Sequence, residues 1–168
     1  MQEATLHDIP QLLELINLAY RSKAHQGWTS ETHLVAGNRV QEEHLKTMIC
    51  NPHSKLFIQQ QDTVIMGCVY LEFQNQSAYI GMLTTHPMLQ NQGLGKIMLN
   101  YAENFALTDP SIQKIELSVL SARPELLAFY QRRGYCLSTH TDAYPIHANV
   151  GVPMIENLKV LHLYKNRT

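Results

Sequence analysis

The sequence predicts an α/β (α+β) protein in which helices flank a mixed, mostly antiparallel central sheet, formed as one domain over residues 1–168. Three observations carry that prediction. Apolar residues recur at helical spacing in four separate segments, three short strand-like runs follow one another between residues 55 and 85, and the connections joining those runs are only two to four residues long. Connections that short join antiparallel neighbours, because a parallel crossover needs a dozen residues or more. A chain of 168 residues is also long enough to bury roughly two-thirds of its unfolded surface in a core.

The elements follow in order. Thr5-Leu6-His7-Asp8 has the form of a capping box, and Ile9, Leu12, Leu13, Ile16, Ala19 and Tyr20 continue it as one apolar face. Glycines and short polar residues break the chain between residues 26 and 39, after which Glu42, Leu45, Met48 and Ile49 restore the helical period until Asn51-Pro52 ends it. Lys55 to Gln60, Thr63 to Phe73 and Ala78 to Thr85 read as a meander. The middle run is apolar at both parities, with Ile65, Val69 and Leu71 on one side and Val64, Met66, Cys68 and Tyr70 on the other, so it belongs at the centre of a sheet covered on both faces. Leu94, Ile97, Met98, Tyr101, Ala102 and Phe105 mark a third helix, and Ile115 to Leu120 a further strand. Pro124 stands where a first helical turn tolerates proline, and Gly134 closes that fourth helix as a natural C′ residue. Residues 144–157 are rich in turn formers, and Val160 to Tyr164 is a last strand.

Composition narrows the function classes. Hydrophobic residues make up 45% and charged residues 16%, which argues against disorder and against a charged coiled coil. Thirteen Lys plus Arg against fourteen Asp plus Glu leave a formal charge of −1, so neither nucleic acid nor an anionic membrane is an expected partner. Cys50, Cys68 and Cys136 are odd in number and form no CxxC pair, and the nine histidines show no HExxH or other metal spacing. No metal is expected, and His140, His147 and His162 read as ordinary surface or core residues. No run approaches the roughly 20 apolar residues of a membrane helix, and Met1-Gln2-Glu3 has none of the regions of a signal peptide. A cytoplasmic protein is expected.

The chemically informative segment is Gln90-Asn91-Gln92-Gly93-Leu94-Gly95-Lys96, between a strand and a helix. Its glycines let the backbone turn without a Cβ in the way, and the helix start offers free N–H groups at the positive end of the dipole, which suits a phosphate-bearing ligand. The spacing is not that of a P-loop, and the dinucleotide fingerprint would need a third glycine where Met98 stands.

This segment resembles the pyrophosphate loop, Gln/Arg-x-x-Gly-x-Gly/Ala, of the GNAT superfamily of acetyl-CoA-dependent N-acetyltransferases, with Gln90, Gly93 and Gly95 matching and Thr85-His86-Pro87 upstream. Downstream, Phe129-Tyr130-Gln131-Arg132-Arg133-Gly134-Tyr135 is similar to the family's aromatic-Tyr-x-x-x-Gly-aromatic signature. The order of elements matches over almost the whole chain, and Gly27-Trp28-Thr29-Ser30-Glu31 resembles a Gly-Trp-Thr-x-Glu segment of a bacterial subgroup. Two positions depart from the pattern. Arg123 stands where many relatives carry Asn, and Tyr79 stands where histone-modifying relatives carry a glutamate base.

The resemblance implies a GNAT-like sheet splayed between the family's fourth and fifth strands, and an acetyl-CoA cosubstrate. By position, Leu83, Thr84 and Thr85 would pair with the pantetheine arm, and residues 90–96 would hold the pyrophosphate. Arg123 reads either as a further phosphate contact or as an exposed helix-start residue. For catalysis, the Leu83 N–H is the expected oxyanion donor and Tyr130 the expected general acid, protonated at neutral pH because a tyrosine pKa lies near 10. Glu72, at the end of the apolar central strand, is the candidate base. Trp28, Glu31 and Arg39 fall where the family builds its acceptor site. There an aromatic floor with charged neighbours would select an amine carrying a carboxylate or polar group, although Trp28 also reads as a plug beneath the loop. The implied activity is acetyl transfer to a primary amine of a small molecule or peptide in a ternary complex. The alternatives are a catalytically inactive acetyl-CoA or CoA sensor and a purely structural interaction protein. Residues 146–156 would frame either the acceptor cleft or a homodimer contact.

Overall fold

The computed structural model describes residues 1–24, 27–89 and 92–167. Strand β1 (Gln2–Glu3) lies on the sheet edge and passes through a 3-10 turn into helix α1 (Ile9–Arg21). The turn is held by Asp8, whose carboxylate accepts from the Thr5 N–H at 2.7 Å and the Thr5 hydroxyl at 2.9 Å. On its inner face α1 buries Leu12, Ile16, Ala19 and Tyr20 among others, and each large apolar side chain contributes roughly 1.5–3 kcal/mol by leaving water. A short strand β2 (Val35–Ala36) and helix α2 (Glu42–Cys50) follow.

Strands β3 (Ser54–Gln61), β4 (Val64–Gln74) and β5 (Ser77–Thr85) form the predicted meander. Its tight turns place Asp62 and Asn75 at positive φ, which these two residue types tolerate. Cys68, Val69, Tyr70 and Leu71 are all buried, so β4 is covered on both faces as its two apolar parities require. The chain continues through α3 (Leu94–Ala106), β6 (Lys114–Leu120), α4 (Pro124–Gln131), β7 (Cys136–Ala143), β8 (Val152–Pro153) and β9 (Lys159–Asn166). Seven strands pair in the order β1-β3-β4-β5-β6-β9-β7, and only β5 and β6 run parallel. Among the described residues no helix is long and apolar enough to cross a membrane.

Two cores sandwich the sheet. Met98, Leu99, Ala102 and Ala106 of α3 pack with Tyr130 and Tyr135 against one face, whereas α1 and Leu45 of α2 pack on Leu56, Ile58, Cys68 and Tyr70 on the other. A third, small cluster joins Val35, Tyr144 and Leu158. It docks residues 144–157 on the segment before α2, through the β2–β8 pair and the Met154 N–H donated to the Leu34 carbonyl at 2.8 Å.

The parallel seam is what positions the site. β5 and β6 pair only at Ser77–Lys114, Ala78–Ile115 and Tyr79–Glu116 and then diverge. The cause lies in β5, where the register with β4 shifts between Cys68 and Tyr70, so that Met82 and Leu83 together span the place of Val69. Met82 sits at φ +44°, a conformation costing roughly 1–3 kcal/mol in a non-glycine residue, and the resulting bulge bends β5 away from its neighbour. β7 is absent from the strands expected from sequence, because it is exposed on both faces and its residues, from Cys136 to Ala143, show no apolar alternation.

Candidate active site

The opening between β5 and β6 is a cleft of about 560 Å³ that crosses the sheet from the α3–α4 face to the α1–α2 face. Gly81, Met82 and Leu83 line one wall and Ser118, Val119 and Leu120 the other. At its narrow end the Tyr79 hydroxyl and Ser118 Oγ lie 2.7 Å apart, bridging the two strands just past their last paired residues.

At one end stands the N-terminus of α3. Gly93 adopts φ +81°, the left-handed region that glycine enters without penalty, and caps a 13-residue helix. The first intrahelical bond is from the Ile97 N–H to the Gly93 carbonyl at 3.1 Å, which leaves the N–H groups of Leu94, Gly95 and Lys96 without an intrahelical acceptor. These residues and Thr85 line the cleft, with the Lys96 side chain exposed at its mouth. The arrangement presents backbone donors and a helix dipole to an anion. Gln90 and Asn91 lie outside the described residues.

Tyr130 reaches the cleft from α4 and is 7% exposed. Gly134 fixes it there. At φ +86° this glycine lets the chain fold back so that the Tyr135 N–H donates to the Tyr130 carbonyl at 3.2 Å, and the two rings pack edge to face at 5.7 Å. Tyr135 anchors the unit by donating to Glu103 of α3 at 2.9 Å, whose other oxygen accepts from Lys165 at 2.9 Å. The spacing of Tyr130, Gly134 and Tyr135 is therefore the spacing of a helix cap that locks one aromatic against another. Burial, with the Tyr20 and Tyr79 hydroxyls adding to it, pushes the Tyr130 hydroxyl well above its ordinary pKa.

The opposite end of the cleft is built by Tyr20, Trp28, Glu31, Arg39, Tyr144 and Val150. Arg21 of α1 ties this end together, donating to Glu31 at 2.7 Å, to the Gly37 carbonyl at 2.9 Å and to the Val150 carbonyl at 3.0 Å. Trp28 is 41% exposed and packs 5.9 Å from the Phe129 ring, so it forms part of the wall rather than a plug beneath the loop. Tyr144, Pro145, Ala148 and Val150 close the cleft from the 144–157 segment.

Residues 10–135 match the model of the acetyltransferase (GNAT) family, about three-quarters of the chain. The chain belongs to the GNAT acetyltransferase family. Comparison with curated proteins gave no match. Among solved structures, smu.2055 from Streptococcus mutans UA159 is similar with a TM-score of 0.73 at 16% identity, covering 98% of this chain and 97% of that one. The ribosomal-protein-S18-alanine N-acetyltransferase of Escherichia coli superposes with a TM-score of 0.71 at 14% identity, over 98% and 91% of the two chains. A Bacillus anthracis str. Ames protein assigned as a streptothricin acetyltransferase, solved in complex with acetyl coenzyme A, gives a TM-score of 0.58 at 20% identity over 73% and 67%. At these identities the likeness is one of fold.

The GNAT frame also shows where particular residues depart from their expected places. Arg123 is not poised for a phosphate. It is 6% exposed, and its guanidinium donates to the carbonyls of Trp28 and Ser30 and pairs with Glu125, bracing from the start of α4 the loop that walls the far end of the cleft. Glu72 does not reach the cleft. Its carboxylate accepts from the Tyr70 hydroxyl at 3.1 Å and the Gln74 amide at 3.0 Å, so the structure brings Tyr130 and Arg39 to one cavity and leaves Glu72 outside it. Thr84 is fully buried with its hydroxyl on the Met82 carbonyl at 3.0 Å, and only its neighbours Leu83 and Thr85 line the opening. Sequence reasoning missed Tyr20, Ser118 and Tyr144 as cleft residues. No motif marks them, and the only available signal was Tyr20 closing the apolar face of α1 beside the Gly-Trp-Thr-x-Glu segment. His140 and His162 meet at the surface of β7 and β9, where both imidazoles contact the Asp142 carboxylate, at 3.0 and 2.7 Å, and hold it below its ordinary pKa.

Proposed function

We propose that this protein is an acetyl-CoA-dependent N-acetyltransferase that moves the acetyl group directly to a primary amine of a small molecule or peptide within a ternary complex. The observation that carries the proposal is a single cleft joining three things: the N–H groups at the start of α3 that have no intrahelical acceptor, the buried Tyr130 hydroxyl and a walled chamber on the far face of the sheet. Acetyl-CoA supplies the activated acyl group. Gly93, Leu94, Gly95 and Lys96 are assigned to its pyrophosphate, and Leu83 and Thr85 to its arm. The amine attacks the thioester carbonyl, whose oxygen the Leu83 N–H polarises at the bulge. As the C–N bond forms and the C–S bond breaks, Tyr130 gives its proton to the departing sulfur, and the proton released by the attacking nitrogen, directly or through water, returns the phenolate to its neutral form. Glu31, paired with Arg21, is the one carboxylate lining the cleft among the described residues, so the acceptor is used as the neutral amine rather than deprotonated by a strong internal base.

Direct transfer is favoured over a covalent acetyl-enzyme by the cysteines. Cys68 of β4 is fully buried in the core under α1, and burial pushes its thiol up to about 12, while Cys50 and Cys136 are exposed away from the cleft. Three unpaired thiols also suit the reducing cytoplasm, where we place the protein. The test is calorimetric titration of acetyl-CoA together with acetyl transfer across an amine panel. Tyr130→Phe is expected to lower transfer roughly 100-fold while acetyl-CoA affinity is kept. Gly93→Asp, which sets a carboxylate and a Cβ at the helix start, is expected to abolish binding. A wild-type protein that binds acetyl-CoA but acetylates no amine would instead be a sensor.

A further inference from the structure

At the acceptor end of the cleft, Glu31 is neutralised by Arg21 behind it, and Arg123 is paired with Glu125. Arg21 and Glu31 pair at 2.7 Å with side chains only 8% and 11% exposed, and the remaining Arg21 contacts go to backbone carbonyls. Arg39 is left over. Its backbone is pinned by Asn17, whose side-chain oxygen accepts from the Arg39 N–H at 2.8 Å while its amide donates to the Val40 carbonyl at 3.1 Å. The Arg39 guanidinium is half-buried and sits over the Tyr20 ring, 5.3 Å from its centroid. Among the described residues it has no ion-pair partner and no hydrogen-bond acceptor.

A cation held rigidly at the wall of a cavity, with its fork of donors unspent, is matched by a planar anion. The coenzyme's phosphates do not supply that anion. Their anchor at the start of α3 belongs to the α3–α4 face, whereas Tyr20 and Val40 on either side of Arg39 lie in the core of the α1–α2 face. The anion therefore arrives with the acceptor. A cleft of about 560 Å³ that must also admit the acyl end of the donor, and is closed by Tyr144, Pro145 and Ala148, suits a metabolite-sized molecule.

We infer that Arg39 forms a carboxylate subsite, and that the acceptor is a small amine bearing a carboxylate, of the amino-acid type. The inference rests on the acetyltransferase reading for its chemistry and on the unpaired guanidinium for its specificity. Polycationic amines, which would place like charge against Arg39, are excluded by the same site.

The test compares amino acids with their carboxamides and their decarboxylated amines, each measured for acetyl transfer and for binding to the CoA-loaded protein. Wild type is expected to prefer the acid over its own amide by roughly 10- to 100-fold in kcat/KM, the range for a charge-assisted bidentate contact. In Arg39→Gln that acid-to-amide ratio falls to about one, and in Arg39→Lys, which keeps the charge but loses the fork, it is intermediate. Equal use of acid and amide by wild type, or a ratio unchanged in Arg39→Gln, overturns the subsite and leaves the transferase reading standing. Acid binding that depends on Arg39 in a protein that transfers nothing supports the subsite and overturns the transferase. Neither transfer nor acid binding overturns both.

Discussion

At the scale of a residue, the proton-donor role proposed for Tyr130 requires a hydroxyl that gives its proton to sulfur yet does not lose it to solvent. Burial raises its hydroxyl above the ordinary value, with Tyr20 and Tyr79 adding and Arg123 and Arg133 opposing. The acid is thus still protonated well past pH 10. The profile of kcat/KM is expected to rise as the acceptor amine loses its proton and to show no downturn before pH 10. A descending limb centred between pH 8 and 9 would rule Tyr130 out as the acid. The place of this residue in the cleft was legible in the sequence because a cap sets it, and Gly134 and Tyr135 mark that cap. Glu72 and Arg123 were not legible in the same way. A strand-end glutamate looks identical whether it faces a cleft or a neighbouring tyrosine. An arginine at a helix start does not reveal that its acceptors, Trp28 and Ser30, lie over 90 residues earlier.

At the scale of an element, that arginine makes α4 a support for the loop preceding α2. Removing its charged donors leaves the Trp28 and Ser30 carbonyls without them, which typically costs about 2 kcal/mol or more. Arg123→Met is expected to raise the acceptor KM at least tenfold while the Kd for acetyl-CoA changes less than twofold. A loss confined to coenzyme affinity would restore the phosphate role. The helices and the β3–β5 meander were readable because each obeys its period and ends on a marked turn. β7 was not, since a strand exposed on both faces has no period to show. The 144–157 segment was equally opaque. Its place is set by β2, Tyr144 and Arg21, contacts that span more than 100 residues and leave no local signature.

At the scale of the whole molecule, the cleft is surrounded by buried hydroxyls, and this shapes its response to alkali. Burial pushes Tyr20 up to about 12, raises Tyr130 and Tyr135 further, and takes the Cys68 thiol from about 9 to about 12. In each case the folded group holds its proton more tightly than the unfolded one, so its stabilisation is complete below the unfolded pKa and is lost as pH rises towards the folded value. Tm is expected to be level from pH 7 to 9, to slip once the unfolded thiol can ionise, and to fall steeply between pH 10 and 12. A Tm unchanged at pH 11.5 would show that these hydroxyls are reached by water.

The three-residue pairing of β5 with β6 bears on more than the cleft. Four strands lie on one side of that seam and three on the other. The core under α3 straddles it, whereas the core under α1 lies on the four-strand side. The sheet is in effect two plates sharing a short hinge, clasped by a continuous core under α3 and, on the other face, only by the loop contacts of Val35 with Tyr144, Arg21 with Val150, and Arg123 with Trp28 and Ser30. A molecule seated across the gap would act as a splint. Occupancy of the site would then register as stiffness, in slower amide exchange along β5 and β6, before any bond is made or broken.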